Sequence, residues 1–373
     1  MKRLRMVYLL IVAIVLGACS IEITQDDPTL QPPTDQPGPT VIYGPVPTFV
    51  SRNAPVSTPA PSHKPPAWAN LKLSGHLIYI QTPRQIINLD LASGQQTTVF
   101  NAPDNAFVSA AQVSPDGKLI VMAYAPPPKD PALQSINTDL YTLPTDGSTA
   151  PRILLPRTAD KESFFNPVWS ADGQYVYYSH LIPGMGDKYT DFSYALERVA
   201  FPGRQPEKLI DHAFWPRLSP DGTKLAYVSF DASTNSNDLF LADVDGRHSR
   251  LVMLAGSFYA VDAPVFSPDG KQLLFSAVGD VQVQNLSWLD QLLGVQIAEA
   301  HNVPSDWWRV PVEGGKPEQL THVADTGMYA DFAPNGKHIS FVSVNGLFVM
   351  NPDGSNLVQL ANAMLAGTIS WTP

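Results

Sequence analysis

The sequence predicts an all-β chain folded as a six-bladed β-propeller, and three observations predict it. A turn motif recurs as Ser114-Pro115-Asp116-Gly117-Lys118, Ser170-Ala171-Asp172-Gly173, Ser219-Pro220-Asp221-Gly222, Ser267-Pro268-Asp269-Gly270 and Ala333-Pro334-Asn335-Gly336, at spacings of 56, 49, 48 and 66 residues. Each copy sits among short runs rich in Val, Ile, Leu, Tyr and Phe that fall into sets of four. The last residues of the chain match the start of such a set, which the first ordered residues lack. Repetition at a few tens of residues decides the architecture before length does.

The chain begins with Lys2, Arg3 and Arg5, runs through an almost wholly apolar stretch from Met6 to Leu16, and closes it with Leu16-Gly17-Ala18-Cys19. That stretch is shorter than the ~20 residues a membrane span takes, but it suits the apolar region of a signal peptide. Leu16-Gly17-Ala18-Cys19 resembles the bacterial lipobox, and the resemblance implies that residues 1–18 are removed and that Cys19 is lipidated. Cys19 is the sole cysteine, so the folded body holds no internal disulfide. Acyl chains contribute about 0.8 kcal/mol per buried CH₂, and several together anchor a protein stably on a membrane surface.

Residues 19–72 carry no sustained period. Pro32-Pro33, Pro37-Gly38-Pro39, Pro45-Val46-Pro47, Pro59-Ala60-Pro61 and Pro65-Pro66 remove backbone donors and favour extended neighbours. This segment reads as a spacer, partly polyproline, between the lipidated cysteine and a propeller spanning residues 73–373.

The first unit offers three strand candidates, Leu77 to Ile80, Ile86 to Leu91 and Thr97 to Phe100. The second offers four: Phe107 to Val113, Lys118 to Tyr124, Asp139 to Thr142 and Arg152 to Leu155. Between the first two strands of a unit, proline presets φ near −65°, aspartate suits the next position, and glycine takes the positive φ that other residues resist. Asp116, Asp172, Asp221 and Asp269 are therefore read as turn residues rather than catalytic acids. Trp371-Thr372-Pro373 aligns with Trp169-Ser170-Ala171, the end of a first strand and the start of its turn. The C-terminal strand is thus expected to complete the first unit, giving six blades with protected edges.

Ser-Pro-Asp-Gly-Lys followed by an aliphatic and aromatic strand, together with Leu347 to Asn356, resembles the WD40-like repeats of TolB-type propellers. Similar repeats occur in the propeller domains of prolyl-oligopeptidase-like enzymes. The resemblance covers about residues 75 to 373 and implies the fold; the same scaffold serves binding proteins, enzyme gates and enzymes.

Two units depart from the repeat. A loop is expected from Leu181 to Tyr189 in the third unit, and a longer insert from about Gly279 to Asp306 in the fifth. In that insert Ser287 and Asp290 resemble a capping box, and Trp288, Leu289, Leu292, Leu293 and Ile297 follow near-helical spacing. The spacing predicts a short amphipathic helix that either packs on its own propeller or docks a partner. The candidate partner-binding residues are Trp288, Leu289, Leu292 and Leu293, with Trp307 and Trp308 on the strand that follows.

Catalytic motifs are missing from the sequence, which holds no His-Glu-x-x-His pair and no Gly-x-Ser-x-Gly elbow. His180 and His212 lie near the ends of predicted strands and are the first histidines to inspect. Asp160, Asp187, Asp211, Asp262, Asp325 and Asp331 include carboxylates that a propeller can gather around its channel. No cofactor is expected; calcium is the ion such an oxygen cluster would hold. The net charge of −10 becomes −13 without Lys2, Arg3 and Arg5, which argues against nucleic acid as a partner. The sequence reads as a lipid-anchored, extracytoplasmic, non-catalytic propeller that binds a protein or an envelope polymer. The alternatives are an enzyme (hydrolase, lyase or sugar dehydrogenase) with its site at the channel mouth, and a TolB-like part in envelope integrity or transport.

Overall fold

A computed structural model describes residues 66–130, 136–159, 161–184, 192–231, 236–278 and 304–373. Cys19, residues 1–18, most of the expected spacer, and Trp288, Leu289, Leu292 and Leu293 lie outside the described residues.

Six four-stranded antiparallel sheets are arranged in sequence order around an axis. Blade one contains β1 (His76–Gln81), β2 (Gln85–Asp90) and β3 (Gln96–Asn101). Blade two is β4 (Phe107–Val113), β5 (Leu119–Ala125), β6 (Asp139–Pro144) and β7 (Arg152–Leu155); blade three is β8 (Ser163–Trp169), β9 (Tyr175–Pro183), β10 (Phe192–Ala200) and β11 (Glu207–Asp211). Blade four is β12 (Ala213–Leu218), β13 (Lys224–Asp231), β14 (Ser236–Asp243) and β15 (Arg250–Leu251). Blade five is β16 (Ala260–Phe266), β17 (Gln272–Val278), β18 (Asp306–Pro311) and β19 (Glu318–Gln319); blade six is β20 (Tyr329–Phe332), β21 (Ile339–Ser343), β22 (Gly346–Met350) and β23 (Val358–Ala361). The last strand, β24 (Leu365–Thr372), pairs with β1 and completes blade one, with Trp371 opposite Leu77 and Thr372 opposite His76.

The Ser-Pro-Asp-Gly copies form the bend between the first two strands of their blades. In the first, the Ser114 hydroxyl donates to Asp116 Oδ1 at 2.7 Å and accepts from the Leu119 N–H at 3.0 Å, while Asp116 Oδ1 also accepts from the Lys118 N–H at 3.1 Å. The Gly117 N–H closes the turn on the Ser114 carbonyl at 2.9 Å, with φ at 73°, a left-handed value that a side chain resists. These bonds, the serine hydroxyl's first, hold the Asp116, Asp172, Asp221 and Asp269 carboxyls below their ordinary range.

Both faces of each blade are buried, so alternate residues of a strand serve different neighbours. On β1, Leu77 and Tyr79 pack with Val342, Leu347 and Val349 of blade six, whereas Ile78 and Ile80 pack with Val108, Ile120 and Met122 of blade two. The same alternation settles Trp307 and Trp308 on β18. Trp307 is fully buried against blade six, its ring 5.9 Å from that of Phe341, and Trp308 is half-buried against Phe258 at 4.8 Å. Trp307 is thus a core residue rather than part of a partner surface.

Two boundaries shift. Packing begins before residue 73, because Trp68 is buried and its Nε1–H donates to the Leu91 carbonyl at 2.9 Å, with a short 3-10 turn at Ala69–Leu71 behind it. Leu181 to Pro183 continue β9, paired with Phe192 to Tyr194 of β10, so the third blade's departure starts later than the prolines and glycines suggest.

Candidate functional site

The first strand of every blade faces the ring axis. Gln112, Asn166, Trp215, Ala263, Tyr329 and Thr368, one residue from each blade, line a cavity there. Its wall is irregular because β8, β12 and β16 break register at Asn166-Pro167, Trp215-Pro216 and Ala263-Pro264. A proline cannot donate to a ladder, and a bulge places the unpaired residue where the strand bends. The residues before these prolines take left-handed φ values of 48°, 60° and 46°.

One ion pair ties distant blades together. Arg217 Nη2 on β12 lies 2.6 Å from Asp331 Oδ1 on β20, joining blade four to blade six past blade five. Asp331 Oδ2 accepts the Trp371 N–H of β24 at 2.9 Å. Burial pushes the Asp331 carboxyl above its ordinary range, against the pull of Arg217 and the backbone donors. Beside the pair, the Gln112 Oε1 accepts the Trp169 N–H at 2.7 Å, which leaves its amide N–H groups as donors.

A second polar cluster lies inside blade three. His180 Nδ1 is 3.0 Å from Glu197 Oε1, and the Tyr178 hydroxyl donates to Glu197 Oε2 at 2.7 Å. His180 Nε2 is 2.7 Å from Glu162 Oε1, an ion pair when the imidazole is protonated. Glu162 Oε2 in turn accepts the Thr158 N–H at 2.5 Å and the Ala159 N–H at 3.0 Å, fixing the crossover from blade two. Burial lowers the His180 pKa, but the Glu197 bond and both carboxylate charges outweigh it and leave the net shift upward. Burial likewise opposes the downward shifts of both carboxyls, but the Thr158 and Ala159 donors and His180 outweigh it at Glu162, and the His180 and Tyr178 bonds outweigh it at Glu197. Phe164 packs edge-on against the imidazole at 4.9 Å, so the cluster works as an internal pin.

The remaining sequence candidates do not converge. His212 is an exposed crossover residue with φ at 57°. Asp211 pairs with Lys208 at 2.8 Å, and buried Asp325 holds the Ser343 hydroxyl at 2.5 Å and the Asn345 amide at 2.9 Å. Asp262 is buried on β16, while Asp160 and Asp187 fall outside the described residues. Among the described residues no group of three His, Cys, Asp or Glu side chains is placed to hold a metal. Of the channel pair, the sequence singled out Asp331 and missed Arg217, whose partner lies 114 positions away.

Comparison with known proteins bears on the fold. No known family pattern matches the chain. It is similar to the uncharacterized peptidase YuxL of Bacillus subtilis (strain 168), 30% identical over 145 residues, which cover 34% of this chain and 21% of that protein. It is also similar to the uncharacterized protein Atu1656 of Agrobacterium fabrum, 27% identical over 147 residues, covering 37% of this chain and 46% of the relative. The chain therefore spans less than half the length of these curated relatives. A putative TolB from Agrobacterium tumefaciens superposes with a TM-score of 0.54 at 19% identity, covering 80% of this chain and 98% of that one. TolB from Acinetobacter baumannii gives 0.56 at 15% identity, covering 80% and 67%. The fold is the TolB-type six-bladed propeller. A chain of a nidogen/laminin complex also matches, with a TM-score of 0.55 at 13% identity over 79% of this chain and 98% of that one. The channel pair and the interrupted blades are where this chain departs from its own repeat.

Proposed function

We propose that this chain is a lipid-anchored, extracytoplasmic protein whose TolB-type propeller binds a protein or envelope-polymer partner without transforming it. The anchor reading rests on Leu16-Gly17-Ala18-Cys19 behind a basic and then apolar segment. The binding reading rests on the channel pair: Arg217, the charged residue lining the axial cavity, is already engaged by Asp331 and held rigidly by the ring. Such an arrangement favours recognition by fixed donors over proton transfer. The fifth-blade insert, with Trp288, Leu289, Leu292 and Leu293, supplies a second candidate surface, since loops on a rigid scaffold commonly carry function.

Metabolic labelling with a lipid precursor tests the anchor: wild type should take up label and Cys19→Ala should not. Affinity capture from detergent-solubilised native membranes tests binding. The wild type should retain a selective partner that a form lacking Val281 to Val303 loses at unchanged thermal stability, and failure to retain any selective partner would sink the binding reading. The enzyme alternative draws on the partial match to an uncharacterized peptidase; turnover of a peptide substrate by the purified chain would favour it. A TolB-like part in envelope integrity draws on fold likeness alone.

A further inference from the structure

Two cavities adjoin at the inner strands, one lined by all six blades and one by blades two, three and four. The inner one offers about 40 Å³, room for a few waters or one small head group, given that a water needs about 10–15 Å³ by the same measure. The outer one, on the face that carries the Ser-Pro-Asp-Gly turns, offers about 330 Å³, at the small end of ligand pockets, which run about 300–1,000 Å³. Gln112, Val168 and Arg217 line both, so they mark the junction.

The junction is a donor site. Arg217 commits one Nη2–H to Asp331, and the rest of its planar fork has no acceptor among the described residues. Gln112 has its oxygen occupied by the Trp169 N–H, leaving its amide hydrogens. The rim above carries Pro115, Trp169, Ala171, Leu218 and Pro220 beside about as much polar surface. Ser219, the hydroxyl on that rim, already bonds Asp221 at 2.5 Å and the Lys224 N–H at 2.9 Å. Donors at the bottom of a rim that is part polar and part apolar complement a carboxylate at the end of a chain of the same mixed character, as a peptide is. A sugar acid would also ask for side-chain hydroxyls along its ring, and the Ser219 hydroxyl is already committed.

We propose that the turn-face mouth of the channel captures the C-terminal carboxylate of an extended peptide, with Arg217 and Gln112 as its donors and the turn prolines against the final side chain. The site deepens the binding reading given above and rests on it. A second carboxylate on Arg217 raises the cost of the Asp331 charge, which burial already opposes. Arg217 is the charged group facing Asp331, and the Trp371 and Phe332 N–H groups complete its surroundings. Capture should therefore take up protons and tighten as pH falls, down to the range where the peptide carboxyl itself protonates, about 3.5.

The test is calorimetric titration of the full chain with N-acetyl-alanyl-alanine, with its C-terminal amide and with galacturonic acid. The peptide acid should bind saturably, at least tenfold more tightly than the amide or the sugar acid. Arg217→Gln alone strands a buried carboxylate, so the decisive variant is Arg217→Gln with Asp331→Asn, which keeps two neutral, bonded side chains and should hold the wild-type fold by circular dichroism while losing the preference for acid over amide. Equal binding of acid and amide, a preference surviving in the double variant, or galacturonic acid binding as tightly as the peptide would each overturn the proposal. Undiminished membrane-partner capture by the double variant would also overturn it, while leaving the broader binding reading standing on another surface.

Discussion

At the scale of single residues, two side chains hold more structure than their size suggests. The buried Ser267 hydroxyl donates to Asp269 Oδ1 at 2.6 Å and accepts the Gln272 N–H at 2.9 Å, locking both ends of its turn. Ser267→Ala should cost about 1–2 kcal/mol, read as a shifted urea midpoint with an unchanged slope. Blade six, with Ala333 in that place, keeps the Gly336 closure at 2.8 Å and the Asn335 contact at 2.9 Å but has no such hydroxyl. His180 is the other case. Its pKa is raised, so its contribution is complete below the ordinary value of 6.5 and fades as pH rises through the higher folded value. Glu162 and Glu197 are lowered, so theirs is complete above the ordinary value of 4.5 and fades as pH falls. The cluster is therefore most stabilising between those ordinary values. Thermal midpoints measured across pH should decline on the alkaline side for wild type and lose that decline in His180→Gln, and a parallel decline in both proteins would refute the linkage.

At the scale of strands, β18 and β24 behave as wedges between blades. Removing the indole of Trp307 from between blades five and six should cost about 3–5 kcal/mol as Trp307→Ala, measured by equilibrium unfolding. If Trp307 instead formed a partner surface, the variant would keep its stability and lose only capture. Gly367 in β24 has φ at 80°, and a Cβ there would come within 2.4 Å of the Ser109 carbonyl and 2.7 Å of Ile80 Cδ1. Gly367→Ala should consequently lower the thermal midpoint by several degrees, since the backbone of blade two cannot retreat from a strand it packs against.

For the whole molecule, closure is the dominant fact. Apolar clusters join blade one to two, two to three and so on round to six and one, and the last of these depends on Leu365, Ile369 and Trp371 of β24. A form ending before Leu365 should expose the β1 edge and the faces of blades six and one, giving a broadened unfolding transition and rapid proteolysis; sharp, wild-type unfolding would argue that five blades and a fragment suffice. The architecture was legible because its determinants are local: a proline, an aspartate and a glycine in a row, and apolar alternation on each side. The channel site was not, because Arg217 and Asp331 meet only through the curvature of the ring. Position near a strand end was enough to flag His180, yet nothing in the sequence named Glu162 and Glu197 as its neighbours. The sequence offers Trp307 and Trp308 together as candidate partner-binding residues, but a strand buried on both faces sends one to each side, and Trp307 falls in the core.

The meeting of β24 with β1 also removes any privileged starting point from the ring. In a regular blade, Ser170 and Tyr175 are joined by four residues, and their Ser170 N–H to Tyr175 O bond measures 2.8 Å. Thr372 and His76 stand opposite each other in the same way, with Pro373 and Gly75 at the gap. Inserting Asp-Gly between them would write in covalent form the sixth bend between the first two strands of a blade. A circular permutant joined there, with new ends opened in the exposed loop at 127–130, should fold to the same ring and unfold at or above the wild-type temperature.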